Sequence, residues 1–139
     1  MIITTIATFT MRAGRVPGAL RLIRAVKRQA EAEQPGTLVY LVHRVLGSTG
    51  KPTRQLYFYE RYRSKTALKA HLESKSWQAV VAQWPEFFEG PSFKAITFFG
   101  VDRIAAFARE GAIPTARRSR RRSQGSSTVG SSTARPPRR

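Results

Sequence analysis

Residues 37–62 read TLVYLVHRVLGSTGKPTRQLYFYERY. Both ends are rich in β-branched and aromatic residues, and the middle collects Gly47, Ser48, Gly50 and Pro52. The segment predicts a strand over 37–46, a loop over 47–52 and a strand over 54–62. A sheet covered on one face alternates apolar and polar residues, and these strands do not. Leu56, Phe58 and Tyr62 share one face of the later strand, with Tyr57 and Tyr59 on the other. In the earlier strand Leu38, Tyr40 and Val42 oppose Val39, Leu41 and Val45. Both faces therefore read as buried.

Upstream, residues 2–10 (IITTIATFT) predict a first strand, and Gly14 ends the turn after it. From Val16 the apolar positions Ala19, Leu20, Ile23, Val26 and Ala30 follow in steps that mark one face of a helix, while Arg21, Arg24, Lys27 and Arg28 hold the other. Pro17 suits the first helical turn, and Gln34-Pro35-Gly36 stops the helix. Downstream, Ser64 predicts the N-cap of a short helix ending near Ser74. A second helical piece carries Trp77, Val80, Val81, Trp84, Phe87 and Phe88 at helical spacing, kinked or ended by Pro85. Gly90-Pro91 makes a turn, 92–101 (SFKAITFFGV) predicts the last strand, and 102–110 a last short helix. The order β-α-β-β-α-β is the split βαβ pattern. The fold class is α+β: a ferredoxin-like, four-stranded antiparallel sheet with its helices on one face. Helices cover only one face, so the sheet of a second copy is expected to cover the other, as a two-fold homodimer.

The 139 residues include 25 Lys and Arg against 8 Asp and Glu, a formal net charge of +17. Residues 111–139 hold eight Arg and no acidic residue. With no aromatic residue and no apolar periodicity, they predict a disordered Arg/Ser-rich tail behind a domain over 1–110. The block from Arg117 to Ser123 suits phosphate backbones, a nuclear address, phosphorylation at Ser119 or Ser123, or a plain solvated appendage. Any nucleic acid or acidic partner met through 113–139 is bound with low specificity and strong salt dependence. There is no Cys, and His43 and His71 are the two histidines, which excludes disulfides, thiolate sites and multi-His metal clusters. No apolar run approaches the roughly 18–20 residues of a membrane helix, and MIITTIATFTMR lacks the basic start of a signal peptide. The expectation is a cytoplasmic protein, with the nucleus as the alternative that the tail allows.

Three stretches resemble the antibiotic biosynthesis monooxygenase family. The passage from Ala13-Gly14 to Gln34-Pro35-Gly36-Thr37-Leu38-Val39-Tyr40 is similar to the family's "G … EPGxxxY". Residues 58–62 (FYERY) resemble its "xxEx[WY]" strand, and 64–72 (SKTALKAHL) its "s.eAl.aH" helix start. The likeness covers roughly 2–101 and leaves the tail outside. It implies a dimeric α/β barrel, with a pocket between sheet and helices in each subunit. It also implies, for some members, oxidation of electron-rich phenols or quinols by dioxygen with no metal or flavin. Other members degrade haem, isomerise small molecules or have no known activity, so fold alone does not decide function.

Glu60 shares a strand face with Leu56, Phe58 and Tyr62, where a carboxylate is costly unless paired or protonated. His71 lies on the helix face of Ala67, Leu68 and Leu72. The resemblance places both in the pocket. They suit a dyad in which His71 takes a phenol proton and Glu60 orients the imidazole; they equally suit a structural role. Tyr40, Phe58, Tyr62, Trp77 and Trp84 are the candidates for substrate contact, or for core. Among them Tyr40 and Trp77 carry polar tips that a buried site can use. His43, with Leu41 and Val45 on its strand face, reads as packing. Nothing in the spacing joins it to His71 and Glu60 as a metal site, and no metal is expected. The chain has no Asn and no His after His71, unlike the haem-degrading members. It has no Gly-rich phosphate loop, so nucleotide cofactors are not indicated, and the resemblance implies that no cofactor is used. Asp102 is its lone Asp, which leaves Ser-His-Asp hydrolysis unsupported. The expected function is a cofactor-independent monooxygenase of a small aromatic, phenolic or quinol compound, or a non-catalytic small-molecule-binding or stress-responsive barrel.

Overall fold

Strand β1 (Ile3–Thr10) leads into helix α1 (Val16–Glu33), with Pro17 in the first turn where its missing N–H does no harm. The buried side chains of α1 are Ala19, Ile23, Val26 and Ala30, the stripe that the spacing marks. Strands β2 (Thr37–Leu46) and β3 (Pro52–Tyr62) follow around the Gly47–Lys51 loop. Pro52 starts β3 opposite Leu46, at the strand end where a missing donor is tolerated. The next helical region is three pieces: α2 (Lys65–Leu72), α3 (Lys75–Ala82) and α4 (Trp84–Phe87). Ser64 caps α2 by accepting from the Ala67 N–H, and Ser74 caps α3 by accepting from the Trp77 N–H. Pro85 stands in the first turn of α4, after the break at Gln83.

The last strand differs from its prediction. Residues Phe93–Ala95 form a 3-10 turn, and β4 is only Thr97–Gly100. The cause is local: Gly90-Pro91 delivers the chain into a turn, and the Ser92 hydroxyl accepts from the Lys94 N–H at 3.2 Å, which competes with extended pairing. The predicted short helix at 102–110 is also absent. Residues 102–109 make no regular element, and the Asp102 side chain bonds the neighbouring Arg103 N–H instead.

The sheet order is β2-β3-β1-β4, antiparallel throughout. Burial alternates along the two central strands. Thr5, Ala7 and Phe9 of β1 and Leu56, Phe58, Glu60 and Tyr62 of β3 are buried under the helices. Their neighbours Ile6, Thr8, Tyr57 and Tyr59 are half-exposed on the opposite face. The core is continuous from that sheet face into the helices. Phe9 stacks on Phe58 at 4.7 Å and meets Trp84 and Phe88 at 5.2 and 5.1 Å. Fully burying each such side chain stabilises by about 1.5–3 kcal/mol.

The structure is a computed structural model describing residues 1–112. Met1–Ile104 form one compact unit, and the described residues from Ala105 onward belong to a second. In the described part of the second unit, the Arg109 guanidinium lies 4.9 Å from the Phe107 ring centroid. The predicted tail contacts at 113–139 lie outside the described residues.

Candidate functional site

Strand parity puts Phe58, Glu60 and Tyr62 on the helix-covered face. Thr5 faces Glu60 across the β1–β3 ladder. Its hydroxyl donates to Glu60 Oε2 at 3.2 Å, and the Tyr62 hydroxyl donates to the same oxygen at 2.8 Å. These donors make a buried carboxylate tolerable. Burial still pushes the Glu60 carboxyl up from its ordinary range, and the two hydrogen bonds pull it part of the way back. Oε1 has no hydrogen-bond partner among the described residues. The Tyr62 hydroxyl is pushed far up by burial and by Glu60 beside it, so it remains a donor.

His71 stands near the end of α2 and is buried, 2% exposed. Gln34, the C-cap of α1, meets it from the other side: Gln34 Oε1 lies 2.9 Å from His71 Nδ1. With the amide placed so that its oxygen, which only accepts, faces the ring, the proton sits on Nδ1 and Nε2 keeps its lone pair; Gln34 Nε2 is then buried with no partner among the described residues. The Thr37 hydroxyl donates to the same amide oxygen at 3.2 Å. Burial lowers the His71 pKa to about 4, which makes the imidazole neutral at pH 7. Tyr40, Tyr62 and Trp77 surround the ring, with centroids 5.4, 5.4 and 6.3 Å away.

Glu60 and His71 open onto one cavity of about 390 Å³ between the sheet and α2–α3. Phe9, Phe58, Trp77, Phe93, Ile96 and Phe98 give it apolar walls, and Gln78 and Lys94 add polar groups. The size and the mix of walls suit a small, flat, mostly apolar molecule.

The sequence-predicted residues divide by position. Glu60, His71, Phe58 and Trp77 line the cavity. Tyr62 stands behind Glu60 as its donor. Tyr40 packs on His71 and on Phe58 rather than in the wall, and its buried hydroxyl has no partner among the described residues. Burial, then the nearby Glu60 charge, raise that hydroxyl well above its ordinary pKa. Trp84 belongs to the core against Phe9 and Phe88, with Nε1 donating to the Glu89 carbonyl at 3.2 Å. His43 pairs with Tyr57 at an exposed position on the opposite sheet face, away from Glu60 and His71. The expected orientation of the imidazole by Glu60 is replaced: Gln34 holds Nδ1, and no hydrogen bond joins Glu60 to His71 among the described residues. Gln34, Thr5 and Lys94 escaped the sequence reading. Gln34 reads only as part of a helix stop, Thr5 as one of many strand threonines, and Lys94 as a strand residue.

A family model described as "Antibiotic biosynthesis monooxygenase" matches residues 2–83. No curated protein matches the chain closely. Solved structures share its fold. PA3566 from Pseudomonas aeruginosa is 21% identical, with 75% of this chain and 95% of that one covered and a TM-score of 0.62. Rv0793 from Mycobacterium tuberculosis is 25% identical over 76% of this chain and 100% of that one, at a TM-score of 0.59. SO0527 from Shewanella oneidensis is 16% identical over 72% and 90%, at 0.57.

Proposed function

The chain belongs to the antibiotic biosynthesis monooxygenase family, and from that premise we propose that its cavity binds a small phenol or quinol and presents it to dioxygen, with no metal or organic cofactor. One observation carries this reading. Glu60 and His71, each with a polar atom that no group of the described residues occupies, face the same aromatic-walled cavity.

The chemistry follows from what those atoms can do. A phenol ring packs between Phe58 and Trp77 with its hydroxyl toward His71 Nε2. Nε2 is the lone-pair nitrogen because Gln34 holds the proton on Nδ1. Moving the phenol proton to Nε2 makes an imidazolium and an electron-rich phenolate, which can pass an electron to dioxygen. A pKa near 4 makes His71 a weak base in the empty cavity. The phenolate beside it stabilises the imidazolium once it forms, which lowers the cost of the transfer. The apolar walls keep out water that would compete for the phenolate.

Oxygen uptake with hydroquinones or anthrone-type compounds tests the reading. His71→Ala and Glu60→Gln each lose about 100-fold or more in turnover, with melting temperature and oligomeric state kept. Ligand binding with no oxygen uptake in the unsubstituted protein overturns catalysis and leaves a small-molecule-binding barrel.

The homodimer belongs to the same reading. Phe99, Ile6, Tyr59 and Leu41 stand side by side across the sheet face that the helices leave open. Phe99 is 53% exposed in the single chain. A second copy placed on this face removes the row from water. The Arg-rich segment 113–139 is the part of the chain suited to nucleic acid, and DNA retention that persists after its deletion excludes it.

A further inference from the structure

Lys94 is exposed and lines the same cavity as Glu60 and His71. Glu60 stands on β3, and Lys94 sits in the turn just ahead of β4. In the order β2-β3-β1-β4 these strands are separated by β1, and the register sets Glu60 level with Thr5 and Gly100, so Lys94, ahead of Thr97, is displaced from Glu60 along the strands as well as across them. His71 lies farther still toward β2, against Tyr40 and Tyr62. The polar groups therefore stand at two ends, and Ala7, Phe9, Phe58 and Phe98 fill the floor between them.

The turn that carries Lys94 is tied down. Ser92 Oγ accepts from the Lys94 N–H at 3.2 Å, the Ala95 N–H donates to the Ser92 carbonyl at 2.9 Å, and the Ile96 N–H to the Phe93 carbonyl at 3.0 Å. The Lys94 ammonium makes no ion pair among the described residues. It is the lone cationic side chain among the lining residues, which include its chain neighbour Phe93. A neutral hydrocarbon gains nothing from such a charge, and a cation is repelled by it. A carboxylate at that end gains an ion pair next to apolar walls, where screening is weaker than in open water.

The geometry points to an aromatic acid as the ligand: a flat molecule whose hydroxyl meets Glu60 and His71 while its carboxylate meets Lys94. This inference rests on the phenol-binding reading of the cavity and narrows its substrate class. Two fused rings set the two groups at opposite ends of one flat molecule.

The probes are 6-hydroxy-2-naphthoate, which has both groups, and 2-naphthol, which lacks the carboxylate. Each is titrated into the full-length protein at moderate salt and followed by ligand fluorescence. The hydroxynaphthoate binds about fivefold tighter, the scale of one partly exposed ion pair. Lys94→Gln brings the two affinities together by weakening the acid alone. Lys51→Gln removes a like charge from the exposed β2–β3 loop and leaves the ratio unchanged, which separates Lys94 from the general positive field of the chain. If 2-naphthol binds as well as the acid, or if Lys94→Gln leaves the ratio intact, the inference is wrong and the phenol site stands. If neither naphthol binds, the phenol reading of the cavity falls, and this inference with it.

Discussion

His71 is neutral at pH 7 because burial removes the water that would solvate its cation, and the one group on Nδ1 is an uncharged amide. This has a consequence for stability. The unfolded chain takes up a proton at His71 below about 6.5, and the folded chain does so only near 4. Between those values the unfolded state holds more protons, so the His71 contribution is complete above 6.5 and falls as the pH drops toward 4. The loss reaches about 3 kcal/mol. Glu60 acts with the opposite sign: its raised pKa makes its contribution greatest in acid and lost as the pH rises through the folded value. Denaturant titrations at several pH values should therefore show a slope between 6.5 and 4 that His71→Gln flattens. The neutral amide of Gln34 is testable in the same way. Gln34→Glu places a carboxylate against Nδ1, so the imidazole titrates at a higher pH, as NMR of the ring protons would record.

The elements owe their close approach to residues with little or no side chain. Gly18 lies in α1 where a Cβ would come within 2.2 Å of Phe87 Cε1 on α4. Alanine is the better helix former by about 1 kcal/mol, yet Gly18→Ala is expected to lower stability by about 1–3 kcal/mol because Phe87 must be displaced. A thermal melt that rises on this substitution would contradict that packing. Gly36, between α1 and β2, does the same for α2: a Cβ there would lie 2.6 Å from that of Ala67. That contact brings the end of α1 against α2, and so brings Gln34 to His71. The serine caps fix where α2 and α3 begin, and hence which way His71 and Trp77 point. A carboxylate partner for His71 was a fair reading of the sequence, but the partner that arrives depends on how two helices meet.

For the molecule as a whole, the open face of the sheet decides how the chain behaves in solution. Ile6, Tyr59, Leu41 and Phe99 form an apolar row on the face that the helices of the described residues leave open. Sedimentation at micromolar concentration should report a dimer, and Tyr59→Lys, by placing a charge in the middle of that row, should shift it to a monomer. A monomer in the unsubstituted protein would remove the dimer from the proposed function.

Strands β1 to β3, α1, the Ser64 cap and the Pro85 break were legible in the sequence because they are set by short-range chemistry: β-branched runs, helical spacing and side chains that bond their own backbone. Family membership was legible from residues 13–72 for the same reason, since spacing survives where packing is unknown. Glu60 and His71 could be singled out as a costly carboxylate and a helical histidine. The place of Trp84 in the core, the amide of Gln34 on Nδ1 and the lysine at the far end of the cavity were not legible. Spacing tells which face of an element a residue occupies. Only the packing of one element against another tells what that face meets, and the site is made of such meetings.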